Sequence, residues 1–146
     1  MKTATEVLLV DDNLGDAELT ADLLKRNDRS VHTHSVTDGV QAMAYLRCQG
    51  KYSDALRPHL IMLDLNMPRK DGWAVLVDVK SDSALNTIPL VVFTTSEART
   101  DIVRCYELGA NSYVTKPGDL DRYRATVTGI GNYWFGFASL LQQEGY

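Results

Sequence analysis

The sequence predicts an α/β fold in which a parallel sheet is sandwiched between helices, and three observations carry that prediction. Short continuous apolar runs recur at residues 6–10 (EVLLV), 60–63 (LIML) and 90–93 (LVVF), as expected for strands buried on both faces. Segments with helical apolar spacing lie between them, so strand and helix patterns alternate five times. Parallel neighbours require crossover connections, and these connections cover both faces of the sheet. Finally, 146 residues are enough for one complete core and too few for two comfortable domains.

Taken in order, the first strand at 6–10 runs into Asp11 and Asp12, and a first helix follows with Ala17, Ala21 and Leu24 at i, i+4, i+7. A shorter strand at 31–35 precedes a second helix carrying Val40, Met43 and Leu46. The third strand at 60–63 ends at Asp64, and its helix carries Trp73, Leu76 and Val79. The fourth strand follows Pro89 and ends at Thr94, with Ile102, Tyr106 and Gly109 or Ala110 spaced along the next helix. Glu97 and Asp101 lie near that helix's start, where they complement its dipole, and Gly109 is placed as a residue just past its end. The fifth strand is short, 112–114.

The last segment has a different pattern. Leu120, Tyr123, Val127, Ile130, Trp134, Phe137 and Leu141 are spaced 3, 4, 3, 4, 3, 4, which predicts an extended carboxyl-terminal helix over 119–141. At 1.5 Å per residue it would be roughly 34 Å long, and its far half would overhang the sheet. Packing within the chain accounts for the seam from Leu120 to Ile130. From Tyr133 onward, Tyr133, Trp134, Phe135, Phe137 and Leu141 are expected to form a dimer or partner contact. Gly129, Gly131 and Gly136 argue against an unbroken helix, with 129–131 the place for a break or kink. The expected division is therefore a domain over 1–130 and a helical extension over 131–146.

Composition narrows the function. The formal charge is −4 with no basic block, so nucleic acid is not an expected partner. Cys48 and Cys105 form no CxxC pair and are expected as small core or half-buried residues. The amino terminus has no room for the apolar core of a signal peptide, and no run approaches the roughly 20 apolar residues of a membrane span. A cytoplasmic location is expected. His32, His34 and His59 show no metal-ligand spacing, and Met43, Met62 and Met67 read as core filler.

In an open parallel sheet, ligands bind at the carboxyl ends of the strands. Asp11 and Asp12, Asp64, Thr94 and Lys116 all fall on that edge. Clustered carboxylates repel one another unless a cation neutralises them, and an all-oxygen, partly hydrated site suits Mg²⁺ better than zinc. The Asp64 carboxylate is then a candidate nucleophile towards a phosphoryl group, with Lys116 and the Thr94 hydroxyl stabilising the transferring oxygens.

The motifs VLLVDDN at 7–13, IMLDLNMPRKDGW at 61–73, PLVVFTTS at 89–96 and GANSYVTKP at 109–117 resemble the receiver domain of two-component response regulators. That resemblance implies a doubly wound five-stranded parallel sheet, flavodoxin-like, of order 2-1-3-4-5, phosphorylated on aspartate by a sensor histidine kinase. It implies Asp64 as phosphoacceptor and Asp11 and Asp12 as the acidic pair, with Asp12 a direct Mg²⁺ ligand and the Asn66 carbonyl another. Thr94 and Lys116 become phosphoryl-sensing residues and Tyr113 the aromatic switch. A cis peptide is implied between Lys116 and Pro117. Thr95, Ser96, Asn66 and Gly118 stand where the family varies, which bears on the lifetime of the acyl phosphate. The TTS tripeptide, the KPGDLDRY stretch and the aromatic carboxyl-terminal segment resemble the small single-domain regulators of phytochrome-type histidine kinases, including bacteriophytochromes. Those regulators tend to dimerise through that segment.

Two other functions compete. A phosphohydrolase working through an aspartyl phosphate needs a second carboxylate two residues after the nucleophile, and Asn66 stands there. A pseudo-receiver acting only as a binding module would not need the complete set of five site residues.

Overall fold

The computed structural model describes residues 4–141. Five strands, β1 (Thr5–Val10), β2 (Val31–Val36), β3 (Leu60–Leu63), β4 (Leu90–Thr94) and β5 (Ser112–Thr115), form one parallel sheet of order β2-β1-β3-β4-β5. Five helices connect or follow them: α1 (Leu14–Asn27), α2 (Gly39–Leu46), α3 (Gly72–Ser81), α4 (Arg99–Glu107) and α5 (Leu120–Gly131). The expected sheet and its strand order are therefore present. No helix among the described residues is long and apolar enough to cross a membrane.

Because side chains alternate along a strand, the buried runs divide between two apolar layers. Leu8, Val10, Ile61, Leu63, Leu90 and Val92 face one layer, which α2 and α3 fill with Ala42, Met43, Val75, Leu76 and Val79. Val7, Leu9, Leu60, Met62, Val91 and Phe93 face the other, filled from α1 and α5 by Leu23, Leu24, Tyr123, Val127 and Ile130. The helix starts are encoded locally. Asn13, Asp38, Asp71 and Asp119 each accept a hydrogen bond from a backbone N–H in the first turn of α1, α2, α3 and α5. Gly109 ends α4 at φ +104°, a left-handed conformation that glycine adopts without strain.

Several expected contacts are displaced. Val40, Tyr106 and Leu120 are exposed rather than core-facing, because α2 buries Gly39, Ala42, Met43, Tyr45 and Leu46 instead, and α4 buries only Cys105. Cys48 is exposed.

The long carboxyl-terminal helix is the larger correction. The α-helix stops at Gly131 and gives way to a π-helical segment, Asn132–Phe137, closed by an Ala138 N–H to Tyr133 carbonyl bond of 2.7 Å. Ala138 is already extended. A wider turn breaks the heptad phase. Gly131 permits the approach to α1: a Cβ there would meet the Asn27 side chain at 2.9 Å. Asn27 Nδ2 also donates to Asn132 Oδ1 at 2.7 Å. Trp134 and Phe135 consequently pack against the α1–α5 layer, while Tyr133, Phe137 and Leu141 remain exposed, Phe137 to 82%. The stretch 142–146 of the expected extension lies outside the described residues.

Candidate functional site

Strand order reverses at β1 and β3, and the carboxyl ends of these two strands carry the site. Asp11 follows β1, held by its N–H to the Val36 carbonyl, and Asp64 follows β3, held by its N–H to the Val10 carbonyl. The loop beyond Asp64 folds back so that Gly72 N–H reaches the Leu65 carbonyl. A Cβ on Gly72 would lie 2.1 Å from the Asp64 carbonyl oxygen, so this turn requires glycine.

Carboxylate oxygens of Asp11, Asp12 and Asp64 lie within 4.8 Å of one another. Lys116, at the end of β5, inserts its ammonium beside them, and Nζ donates to Asp11 Oδ2 at 2.6 Å, Asp16 Oδ2 at 3.0 Å and Asp64 Oδ2 at 3.2 Å. Thr94, fully buried, donates from Oγ1 to the other Asp64 oxygen, Oδ1, at 2.9 Å. The Asn66 N–H points to the same oxygen at 3.3 Å. The two Asp64 oxygens thus face different donors.

Burial works against the charges of Asp11 and Lys116. It raises the Asp11 carboxyl above the ordinary carboxylate range, and the hydrogen bond from Lys116 offsets part of that rise. Burial also disfavours the Lys116 ammonium, but its hydrogen bond and charge interaction with Asp11, then Asp64 and Asp16, hold its pKa well above the usual lysine value. The all-oxygen carboxylate cluster has the donor chemistry of a hard divalent cation.

Tyr113 lies beside this centre, half-buried against the α2–α3 layer, with its hydroxyl donating to the Ser96 carbonyl at 2.8 Å. Burial raises its pKa, with the Ser96 bond acting in the opposite sense. Ser96 in turn donates from Oγ to Asp101 Oδ2 at 2.6 Å. Among the described residues no peptide bond is cis, so Lys116–Pro117 is trans, contrary to expectation. Trans is the lower-energy state of an X–Pro bond, and the lysine is aimed by its three carboxylates and by its N–H bond to the Thr94 carbonyl at 2.7 Å.

The expected residues Asp11, Asp12, Asp64, Asn66, Thr94 and Lys116 therefore come together, with Tyr113 one loop away. The five aromatic and apolar residues expected as a contact do not form one surface, since Trp134 and Phe135 face inward. Asp16 is a site residue that the sequence reading passed over. Its only signal is an acid in the first turn of α1, which serves a helix dipole equally well.

A family model described as the response regulator receiver domain matches residues 7–128. The response regulator Rcp1 of Synechocystis sp. is 40% identical over 134 residues, covering 92% of this chain and 91% of that protein. A crystal structure of the Mn²⁺-bound form of Rcp1 superposes with a TM-score of 0.91 at 39% identity, covering 94% of this chain and 99% of that one. The phosphorylated cyanobacterial phytochrome response regulator RcpA superposes at 0.92 with 41% identity, covering 96% and 100%. With the acidic cluster at the switch point of a 2-1-3-4-5 sheet, this chain belongs to the response regulator receiver domain family and is related to the response regulators of phytochromes.

Proposed function

We propose that Asp64 accepts a phosphoryl group from the phosphohistidine of a sensor histidine kinase and that the chain then signals through protein contacts. The observation that carries this reading is the convergence of Thr94 Oγ1 and Lys116 Nζ on the two oxygens of Asp64, beside the acidic pair. In the transfer an Asp64 carboxylate oxygen attacks phosphorus, the P–N bond of the phosphohistidine breaks, and its electron pair returns to the imidazole nitrogen. Asp11, Asp12, Asp64 and the Asn66 carbonyl would hold Mg²⁺, which when bound offsets charge on the transferring oxygens. Lys116 and Thr94 then bond phosphoryl oxygens, and Tyr113 responds to the movement of Thr94. Hydrolysis by water returns Asp64 to the carboxylate, at a rate tuned by Asn66 and Ser96.

Relatedness to RcpA supports a phytochrome-type kinase as the donor, and structural likeness to bacteriophytochrome response regulators at 34% identity extends this to a bacteriophytochrome. We place the exchange in the cytoplasm, with no nucleic acid or membrane as direct partner, in keeping with a formal charge of −4. Residues 1–130 act as the receiver unit and 131–146 as the extension. In that extension Tyr133, Phe137 and Leu141 supply the homodimer contact, and Trp134 and Phe135 support it from behind. Intact mass after incubation with acetyl phosphate and Mg²⁺ should show one added phosphoryl group on the wild type and none on Asp64→Asn. The same gain in both proteins would refute the assignment of Asp64.

A further inference from the structure

An ammonium group has three N–H donors, and Lys116 uses them on Asp11, Asp16 and Asp64. Asp11 and Asp64 belong to the acidic cluster, whereas Asp16 stands outside it. A cation drawn to the cluster competes with Lys116 for Asp11 and Asp64 and leaves Asp16 as the carboxylate that serves the lysine alone.

Asp16 is fixed from three directions. Its N–H donates to Asn13 Oδ1 at 3.0 Å, and its carbonyl accepts from the Tyr123 hydroxyl of α5 at 3.3 Å. Its carboxylate holds Lys116. Tyr123 is itself pinned, its hydroxyl 2.8 Å from Thr20 Oγ1 and its ring 5.5 Å from that of Phe93. The Lys116 ammonium lies 5.8 Å from the Phe93 ring centroid. Asp16, Tyr123, Phe93 and Lys116 therefore close a loop of contacts linking α1, α5, β4 and β5.

We propose that Asp16 is a positioning residue for Lys116, holding the ammonium aimed at Asp64 while Asp11 and Asp64 turn to a cation and a phosphoryl group. The proposal rests on the reading of Asp64 as phosphoacceptor. Without the Asp16 charge, Lys116 falls back on Asp11 and Asp64 and competes with the cation for both.

The test compares Asp16→Asn with Asp16→Glu and with Glu18→Gln, which removes the same charge from an exposed position on α1. In metal-free protein, the Lys116 ammonium ¹⁵N–¹H signal should shift in Asp16→Asn and remain in place in Glu18→Gln. Mg²⁺ affinity should fall about fivefold in Asp16→Asn, and acetyl phosphate should phosphorylate it about tenfold more slowly at saturating Mg²⁺, the scale of one misplaced charge-assisted hydrogen bond. Asp16→Glu should recover most of both losses. An Asp16→Asn protein that matches Glu18→Gln in ammonium signal, Mg²⁺ affinity and rate overturns the proposal. If the wild type takes up no phosphoryl group, the phosphoacceptor reading fails, and the ammonium signal and Mg²⁺ affinity still decide whether Asp16 positions the lysine.

Discussion

Replacing Lys116 by methionine keeps most of the side-chain volume and removes the cation from the acidic centre. The lysine side chain is 3% exposed, and its partners Asp11 and Asp64 are 11% and 12% exposed. Removing one partner of a buried pair costs about 3–5 kcal/mol, because the remaining charges stay desolvated. Asp16, at 31% exposure, keeps access to water, so the expected loss is near the lower end, about 3 kcal/mol. With a urea dependence of about 2 kcal/mol per molar, the unfolding midpoint should fall by about 1.5 M in EDTA. Mg²⁺ should reverse the effect. With no lysine competing for Asp11 and Asp64, the variant binds the cation more tightly, and at a hundred times the dissociation constant the recovery is about 2.7 kcal/mol. The wild type, already compensated by Lys116, gains less at the same concentration. Urea titrations of both proteins in EDTA and in Mg²⁺ measure all four midpoints. Equal midpoints in EDTA, or equal gains from Mg²⁺, would refute the view that Lys116 stands in for the cation.

Three further outcomes are expected. Gly72→Ala drives a methyl group into the Asp64 carbonyl and the Leu65 Cα at 2.1 and 2.6 Å; a loss of about 1–3 kcal/mol and slower phosphorylation should follow, and a stability unchanged in urea titration would contradict that contact. His59 accepts the Glu6 N–H on Nδ1, and burial holds its pKa below the ordinary 6.5, opposed by the Glu6 charge. The unfolded chain therefore takes up a proton that the folded chain resists, so the associated stability is complete above pH 6.5 and is lost as pH falls below it. His59→Asn should flatten this acid slope in midpoints measured between pH 7.5 and 5, and an unchanged slope would assign it to other groups. Phe137→Ser removes a side chain that is 82% exposed, so unfolding should move by no more than about 0.5 kcal/mol while sedimentation shows a weakened dimer; undiminished dimerisation would put the contact elsewhere.

Much of the fold was legible because its signals are local. Three apolar runs, two of them ended by an acidic residue, and two shorter strand segments marked the sheet, and the structure adds that α1, α2, α3 and α5 start at Asn13, Asp38, Asp71 and Asp119, whose caps form within one turn. Helix phase was less legible. Val40, Tyr106 and Leu120 had the right spacing and the wrong face, because which stripe turns inward depends on how each helix crosses the sheet. The heptad continued through Leu141 on paper. The π-helical turn after Gly131 ended it, where Asn27 of α1 approaches Gly131 and hydrogen-bonds Asn132.

The sequence by itself determined the strand–helix alternation, the parallel sheet and the acidic, threonine and lysine residues at its carboxyl edge, because each follows from neighbours within a few residues. Only the tertiary structure decided that Lys116 shares its charge among three aspartates, that Thr94 and Lys116 divide the two oxygens of Asp64, and that Trp134 and Phe135 turn inward while Phe137 does not. These arrangements join residues up to about a hundred positions apart. Their energies depend on burial and distance, and neither quantity exists until the sheet has closed and its helices have docked.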